Sequence, residues 1–182
     1  MNTIDLNLAR TLREESGQDV NVCYQCKKCT AGCPIVDEMD LAPTQVVQAI
    51  RLGDKDAVFG SKTIWLCASC ETCTTRCPQE LDLARVMDAA RTLAVRQGAP
   101  AAMPDVNAFY RSMLQAIRLW GRVYELGMMG LYKLRTFTFT KDAGLAFKML
   151  KKGKIALMPH VARVIATNRI FSRARKLERS AP

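Results

Sequence analysis

Apolar positions along this chain recur at helical intervals and break at glycine or proline. Leu8 and Leu12 give an apolar stripe to a short helix expected over Leu6–Ser16, stopped by Gly17. The stretch MDLAPTQVVQAIRLG repeats the design, with Pro43 near a helix start, Val46, Val47 and Ile50 on one face, and Gly53 as the stop. Ser61 is expected to cap a short helix that carries Ile64, Trp65 and Leu66 into Cys67. A longer helix follows Asp82 as its cap, with Leu83, Val86, Met87, Ala90 and Leu93 as its stripe and Gly98 beyond its end. GAPAAMPD, residues 98–105, is small and proline-containing and reads as a linker. Beyond it, Phe109, Met113, Ile117 and Trp120 share one helical face. That stripe serves either as core or as a surface for another subunit. The tail continues through GRVYELGMMGLYKLRTF, a short helix in KDAGLAFKML, the basic KKGK, and a last helix near Val161 to Arg175 after Pro159. Runs of strand-forming residues are sparse, so the expected fold class is all-α.

Two stretches break this periodicity, and they hold all eight cysteines. Cys23, Cys26, Cys29 and Cys33 form C-x2-C-x2-C-x3-C followed by Pro34; Cys67, Cys70, Cys73 and Cys77 repeat it, followed by Pro78. This is the ligand run of two-cluster ferredoxins, in which the fourth Cys of each run serves the other cluster. Three cysteines at intervals of three on a turning backbone can reach three irons of one cubane. The following Pro holds the fourth Cys extended and directs it away. One [4Fe–4S] cluster is therefore expected on Cys23, Cys26, Cys29 and Cys77, and the other on Cys67, Cys70, Cys73 and Cys33. Disulfides would suit a secreted chain, but MNTIDLNLARTLREESG is polar and charged, unlike a signal peptide. Structural zinc uses separated C-x2-C pairs instead. Oxygen-sensitive clusters and free thiolates imply a reducing compartment, the cytoplasm.

The repeat outlasts the cysteines: Asp40-Leu41-Ala42 and Asp82-Leu83-Ala84 each follow a Cys-Pro pair. The 33 residues between Cys33 and Cys67 read as helices, as in the helical ferredoxin domain of the iron–sulfur subunits of succinate dehydrogenase and fumarate reductase, an analogy of fold alone. The expected organisation is a helical dicluster ferredoxin domain over 1–98, a linker over 99–105 and a basic helical extension over 106–182.

Charge divides along the same line. The net charge is +10; residues 1–106 carry −3 and residues 107–182 carry +13. So basic an extension implies docking to an acidic protein, nucleic acid or anionic lipid. Trp120, Phe137 and Phe139 lie among the basic residues, but the cysteine framework favours an acidic protein partner over RNA. The longest uncharged apolar run, Leu126 to Tyr132, falls far short of the ~20 residues that span a bilayer, so no transmembrane segment is expected. The one histidine, His160, is expected at a surface or interface, and no glycine-rich phosphate loop follows a strand. Lys27, Lys28 and Arg76 flank the first set of expected ligands, and Glu71 sits within the second. Charge alone thus predicts the higher potential for the first cluster.

The segments CYQCKKCTAGCP and IWLCASCETCTTRCPQELDL resemble the iron–sulfur C subunit of heterodisulfide reductase. In the tail, Gly121-Arg122-Val123-Tyr124-Glu125, and Lys152-Gly153-Lys154 ahead of Pro159, resemble the same family and extend the likeness over nearly the whole chain. The resemblance implies a non-catalytic relay subunit of a cytoplasmic hetero-oligomer. Electrons pass from a flavin- and iron–sulfur-containing partner, the A subunit, through two [4Fe–4S] clusters in this chain. They reach a disulfide-reducing partner, the B subunit, which cleaves the disulfide of coenzyme M and coenzyme B. The cysteine runs alone are shared with iron–sulfur subunits of membrane-associated, glycolate and glycerol-3-phosphate dehydrogenases, which form the alternative. A zinc-stabilised adaptor is a third class.

Overall fold

A computed structural model describes residues 4–138, 144, 148, 149, 151, 152 and 162–180. The expected KDAGLAFKML helix is described only in part, and Gly153, Lys154, Pro159 and His160 lie outside the described residues. The described elements are helical; β pairing among the described residues is limited to one isolated bridge between Ile4 and Asp54. The chain divides into two compact units, Met1–Pro104 and Asp105–Pro182.

The first unit contains helices α1 (Leu8–Ser16), α2 (Lys28–Ala31), α3 (Pro43–Arg51), α4 (Lys55–Phe59), α5 (Thr63–Leu66), α6 (Thr72–Thr75) and α7 (Leu83–Arg96). The stripes read from sequence form its core. Leu8 and Leu12 of α1, Val46, Val47 and Ile50 of α3, and Val86, Met87, Ala90 and Leu93 of α7 are buried together with Val58, Phe59, Ile64 and Trp65. Leu12 and Ile50 are fully enclosed, so truncating either to Ala would cost about 2–5 kcal/mol. Arg96 on α7 reaches Glu15 on α1 at 2.5 Å and joins the two helices at their outer ends. α1 begins at Leu8, two residues later than the spacing predicts. Asp5 is pinned ahead of it, its N–H donating to the Gly53 carbonyl at 2.7 Å, and Leu6 is left in solvent. Only glycine serves at position 53: its φ is +72°, and a Cβ there would lie 2.5 Å from the Asp5 carbonyl oxygen. Ala99, Ala101, Ala102 and Met103, in the stretch read as a linker, pack against the core of this unit.

The second unit contains α8 (Pro104–Trp120), α9 (Glu125–Thr136) and α10 (Val164–Ser180). The final helix begins and ends later than the expected Val161–Arg175. α8 and α9 form an antiparallel hairpin. Phe109 meets Tyr132 edge-on at 6.1 Å, Trp120 meets Tyr124 at 5.2 Å near the corner, and Arg135 donates to the Ser112 hydroxyl at 2.8 Å. Here the structure departs from the sequence pattern. The buried positions of α8 are the small Ser112 and Ala116, while Met113, Ile117 and Trp120 are half-buried and Phe109 is 40% exposed. Among the described residues the stripe is therefore not the buried face of α8. Gly121-Arg122-Val123-Tyr124-Glu125 is the corner itself. Gly121 has φ +75°, and the Trp120 carbonyl accepts from Ala162 N–H at 3.0 Å. Asn168 of α10 exchanges hydrogen bonds with Arg118 of α8.

Candidate metal centre

The two cysteine runs fold alike. Each starts from a helical segment, turns sharply through its first three cysteines, and ends in a four-residue helix, α2 or α6, that packs against its counterpart. The backbone takes positive φ at Gln25 (57°) and Lys27 (62°) in the first run, and at Ser69 (49°) and Glu71 (59°) in the second. These positions correspond under a shift of 44 residues, the offset between the runs. Left-handed backbone at a non-glycine residue costs roughly 1–2 kcal/mol. Such strain persists where the surroundings impose it, often at functional sites. Here it curls each loop so that polar hydrogens meet sulfur: Gln25 N–H donates to Cys23 Sγ at 3.4 Å, and the Thr72 hydroxyl lies 3.4 Å from Cys70 Sγ.

The loops build two cavities. One is lined by Cys23, Cys26, Cys29 and Cys77; the other by Cys67, Cys70, Cys73 and Cys33. The fourth cysteine of each run thus lines the cavity of the other run. Cys73 and Leu83 line both cavities, which places them side by side. Their walls are otherwise largely apolar, with Ile35, Met39 and Met87 in one and Val47 and Leu81 in the other. Among the described residues, no three His, Cys, Asp or Glu side chains converge as they would around a single ion. Four sulfurs spread about a cavity suit a cubane, whose irons are ligated at its corners, better than one zinc. Burial pushes the Cys29, Cys67 and Cys73 thiols above the ordinary range, while the Thr72 hydroxyl lowers that of exposed Cys70. Ligation to iron would replace the protons and relieve the cost of burying the thiolates.

Helices fix the loops from outside. Arg91 of α7 donates from Nε to the Ile64 carbonyl at 2.7 Å and from Nη2 to the Cys67 carbonyl at 2.9 Å. Arg51 of α3 holds the Cys23 carbonyl more loosely, at 3.4 Å. The two arginines correspond under a shift of 40, so the connection from the fourth cysteine to its helix is four residues shorter in the second copy. Sequence pattern marks neither of them: an arginine on a helix advertises no acceptor 24 or 28 residues upstream. The paired Asp-Leu-Ala triplets serve different ends. Asp82 caps its own helix through Arg85 N–H at 3.1 Å and accepts from the Thr74 hydroxyl. Asp40 instead caps α5, accepting from Ser61 Oγ at 2.6 Å, Lys62 N–H at 2.8 Å and Thr63 N–H at 3.2 Å. Partial burial alone would raise the Asp40 carboxyl, but these donors outweigh it and hold it well below the usual carboxylate range. The cap expected from Ser61 is therefore shared: its hydroxyl accepts from Thr63 N–H at 3.0 Å while donating to Asp40.

Residues 22–82 match the 4Fe–4S dicluster domain family. The chain thus holds a dicluster iron–sulfur domain, and the cofactors of such a domain are two [4Fe–4S] clusters; the elements of the described residues are helical. The chain is 30% identical over 95 residues to the C subunit of H2:CoB-CoM heterodisulfide,ferredoxin reductase from Methanothermobacter marburgensis, covering 52% of this chain and 51% of that one. It is 35% identical over 85 residues to the iron–sulfur C subunit of CoB–CoM heterodisulfide reductase from Methanopyrus kandleri, covering 47% and 44%. It is 30% identical over 89 residues to the C subunit of a ferredoxin:CoB-CoM heterodisulfide reductase from Methanosarcina acetivorans, covering 49% and 36%. It is a dicluster protein like the C subunit of heterodisulfide reductase. The chain spans about half the length of the curated relatives it matches or less. These alignments take in about half of this chain, against the near-complete likeness suggested by the tail motifs.

Proposed function

We propose that this chain is the electron-relay subunit of a heterodisulfide reductase-like complex. One [4Fe–4S] cluster is held by Cys23, Cys26, Cys29 and Cys77, and the other by Cys67, Cys70, Cys73 and Cys33. When bound, each cubane accepts and releases one electron at a time. The chain's own residues set the conditions. The cysteines hold two centres in adjoining cavities, the apolar walls limit water around them, and N–H and O–H groups directed at sulfur stabilise thiolate charge. The observation that carries this reading is the crossed pair of adjoining cavities, sharing Cys73 and Leu83, each with an exposed cysteine (Cys26 or Cys70) at its mouth. That arrangement gives electrons a short path between clusters and an edge near solvent at each end. On this reading the flavin- and iron–sulfur-containing partner delivers electrons, and the disulfide-reducing partner carries out the thiol chemistry. No described helix is long and apolar enough to cross a membrane; the complex is assigned to the reducing cytoplasm.

Anaerobic purification of the native complex tests this. The expected result is about eight irons and eight sulfides per chain, together with a flavoprotein and a disulfide-reducing subunit. A cytochrome b-like anchor in their place would favour the iron–sulfur subunit of a membrane-associated dehydrogenase. A folded chain with zinc and no iron would sink both readings.

A further inference from the structure

The internal repeat supplies its own control. Under the 44-residue shift Val22 corresponds to Leu66, Tyr24 to Ala68, Lys27 to Glu71 and Lys28 to Thr72; under the 40-residue shift of the helices Gln48 corresponds to Asp88. The two edges are therefore built on one backbone plan and finished with different chemistry. At the first edge, Tyr24 is 71% exposed and Val22 43%. Tyr24, Lys27 and Lys28 line the same cavity as exposed Cys26, and Arg51 lies against the Cys23 carbonyl with its residue exposed. At the second edge, exposed Cys70 is flanked by Ala68, Ser69 and Glu71, and Ser69 donates to the exposed Asp88 carboxylate at 3.2 Å. The arginine of that side, Arg91, is turned inward. One edge is aromatic and cationic; the other is small and anionic.

We propose that the edge around Cys26, formed by Val22, Tyr24, Lys27, Lys28 and Arg51, docks an electron-transfer protein whose own redox centre lies beneath an acidic rim. This rests on the relay reading above. Three cations around an exposed centre steer a partner bearing carboxylates and fix its orientation. An exposed aromatic and a valine beside the cysteine supply the small desolvated middle of an interface, and contacts between redox partners sit at the small end of the size range. Docked there, the partner's reduced centre gives up one electron and the cluster behind Cys26 gains it; no bond forms or breaks. A lipid surface fits less well, because this edge is a tight loop with two apolar side chains rather than an amphipathic helix.

The test uses the full chain with its clusters reconstituted anaerobically. Electron exchange with a reduced, strongly acidic [2Fe–2S] ferredoxin is followed by stopped flow at rising ionic strength. Phosphatidylserine vesicles serve as the competing surface. For the parent chain the rate is expected to fall with salt. Lys27→Glu with Lys28→Glu should slow exchange about tenfold or more at low salt and abolish that dependence. Tyr24→Ala should slow exchange with the salt dependence intact, and Glu71→Lys should change neither. Iron content and the potential of each cluster, measured on every variant, separate docking from driving force. Parental rates and salt dependence in the double variant would overturn the face, as would sensitivity residing at Glu71, or vesicle binding that requires Lys27 and Lys28 and excludes the ferredoxin. Iron-free protein, or loaded clusters that exchange with no donor, would overturn the relay reading and this face with it. Loaded clusters with charge-insensitive exchange overturn the face alone.

Discussion

At the scale of single residues, the crossed cysteines and the two arginines carry the most consequence. Cys77 follows the second run in sequence but lines the first run's cavity. Cys77→Ser is therefore expected to alter the electron paramagnetic resonance signal of the cluster on Cys23, Cys26 and Cys29 and to leave the other signal in place. Damage confined to the second-run cluster would refute the crossing. The cysteines were legible in the sequence because a cubane demands a spacing that few other sites use. The arginines were not, and they change the electrostatic expectation. Lys27 and Lys28 are solvent-exposed and screened, whereas the Arg91 side chain is only 16% exposed and bonds directly to the Cys67 carbonyl. Its ion-pair partner Asp88, 55% exposed, offsets the charge only in part. The ordering of potentials read from Lys27, Lys28, Arg76 and Glu71 is thus opposed by a less screened cation at the second run. Arg91→Met is expected to lower the potential of the cluster on Cys67, Cys70 and Cys73 by more than Lys27→Glu with Lys28→Glu lowers that of its neighbour. A redox titration monitored by paramagnetic resonance compares them, with Arg91→Lys retaining the charge as control.

At the scale of elements, glycines and stripes marked most of the first unit correctly, because its helices are amphipathic and end where a left-handed residue is needed. Gly17 and Gly98, at φ 70° and 69°, stand just past α1 and α7. What pattern could not show was a cap from a distance: nothing in PIVDEMDLAP says that Asp40 serves a helix beginning at Thr63. Asp40→Asn is expected to destabilise the first unit by about 1–2 kcal/mol at neutral pH. The folded-state pKa is depressed, so the carboxylate's contribution is present above the ordinary carboxylate pKa of about 4 and is lost as pH falls toward the folded value. Thermal melts followed by circular dichroism should therefore show the two chains converging below about pH 4. In the second unit the stripe fills only part of the first of its two expected uses, being half-buried or exposed, and the buried positions of α8, Ser112 and Ala116, are too small for a count of large apolar residues to find. The Gly121 corner is more exacting. A Cβ there would collide with the Ala162 carbonyl, at a φ that disfavours side chains. Gly121→Ala should cost about 2 kcal/mol or more. The expected signature is early melting of helix signal with iron content unchanged.

At the scale of the whole molecule, the two units differ in kind. Met1–Pro104 has a buried apolar core and holds both cysteine cavities; Asp105–Pro182 carries most of the positive charge, and among its described residues only Ser112 and Ala116 are buried, with Leu114, Leu119, Leu134 and Ile170 exposed. A chain ending at Pro104 is expected to retain both clusters, read by iron content and absorbance, and to fail to assemble with its partner subunits on gel filtration. Co-elution of the shortened chain with those partners would remove the docking role from the second unit. The charge swings from −3 to +13 near position 106, close to the boundary between these units. Its position was blurred by GAPAAMPD, whose small residues look like a free linker but largely pack on the first core.

The crossed lining of the cavities has a consequence for ancestry. A peptide with one cysteine run holds three thiols on one side and sends its fourth outward, so alone it cannot complete a cubane. Two identical peptides related by a two-fold axis could do so by exchanging their last cysteines. α2 packing on α6, the matched left-handed residues and the matched arginines preserve the outline of such a pair within one polypeptide. Within one polypeptide the two ends need not be alike. Tyr24 opposite Ala68 and Lys27 opposite Glu71 are what a symmetric dimer could never display, and a conductor with a direction needs unlike ends.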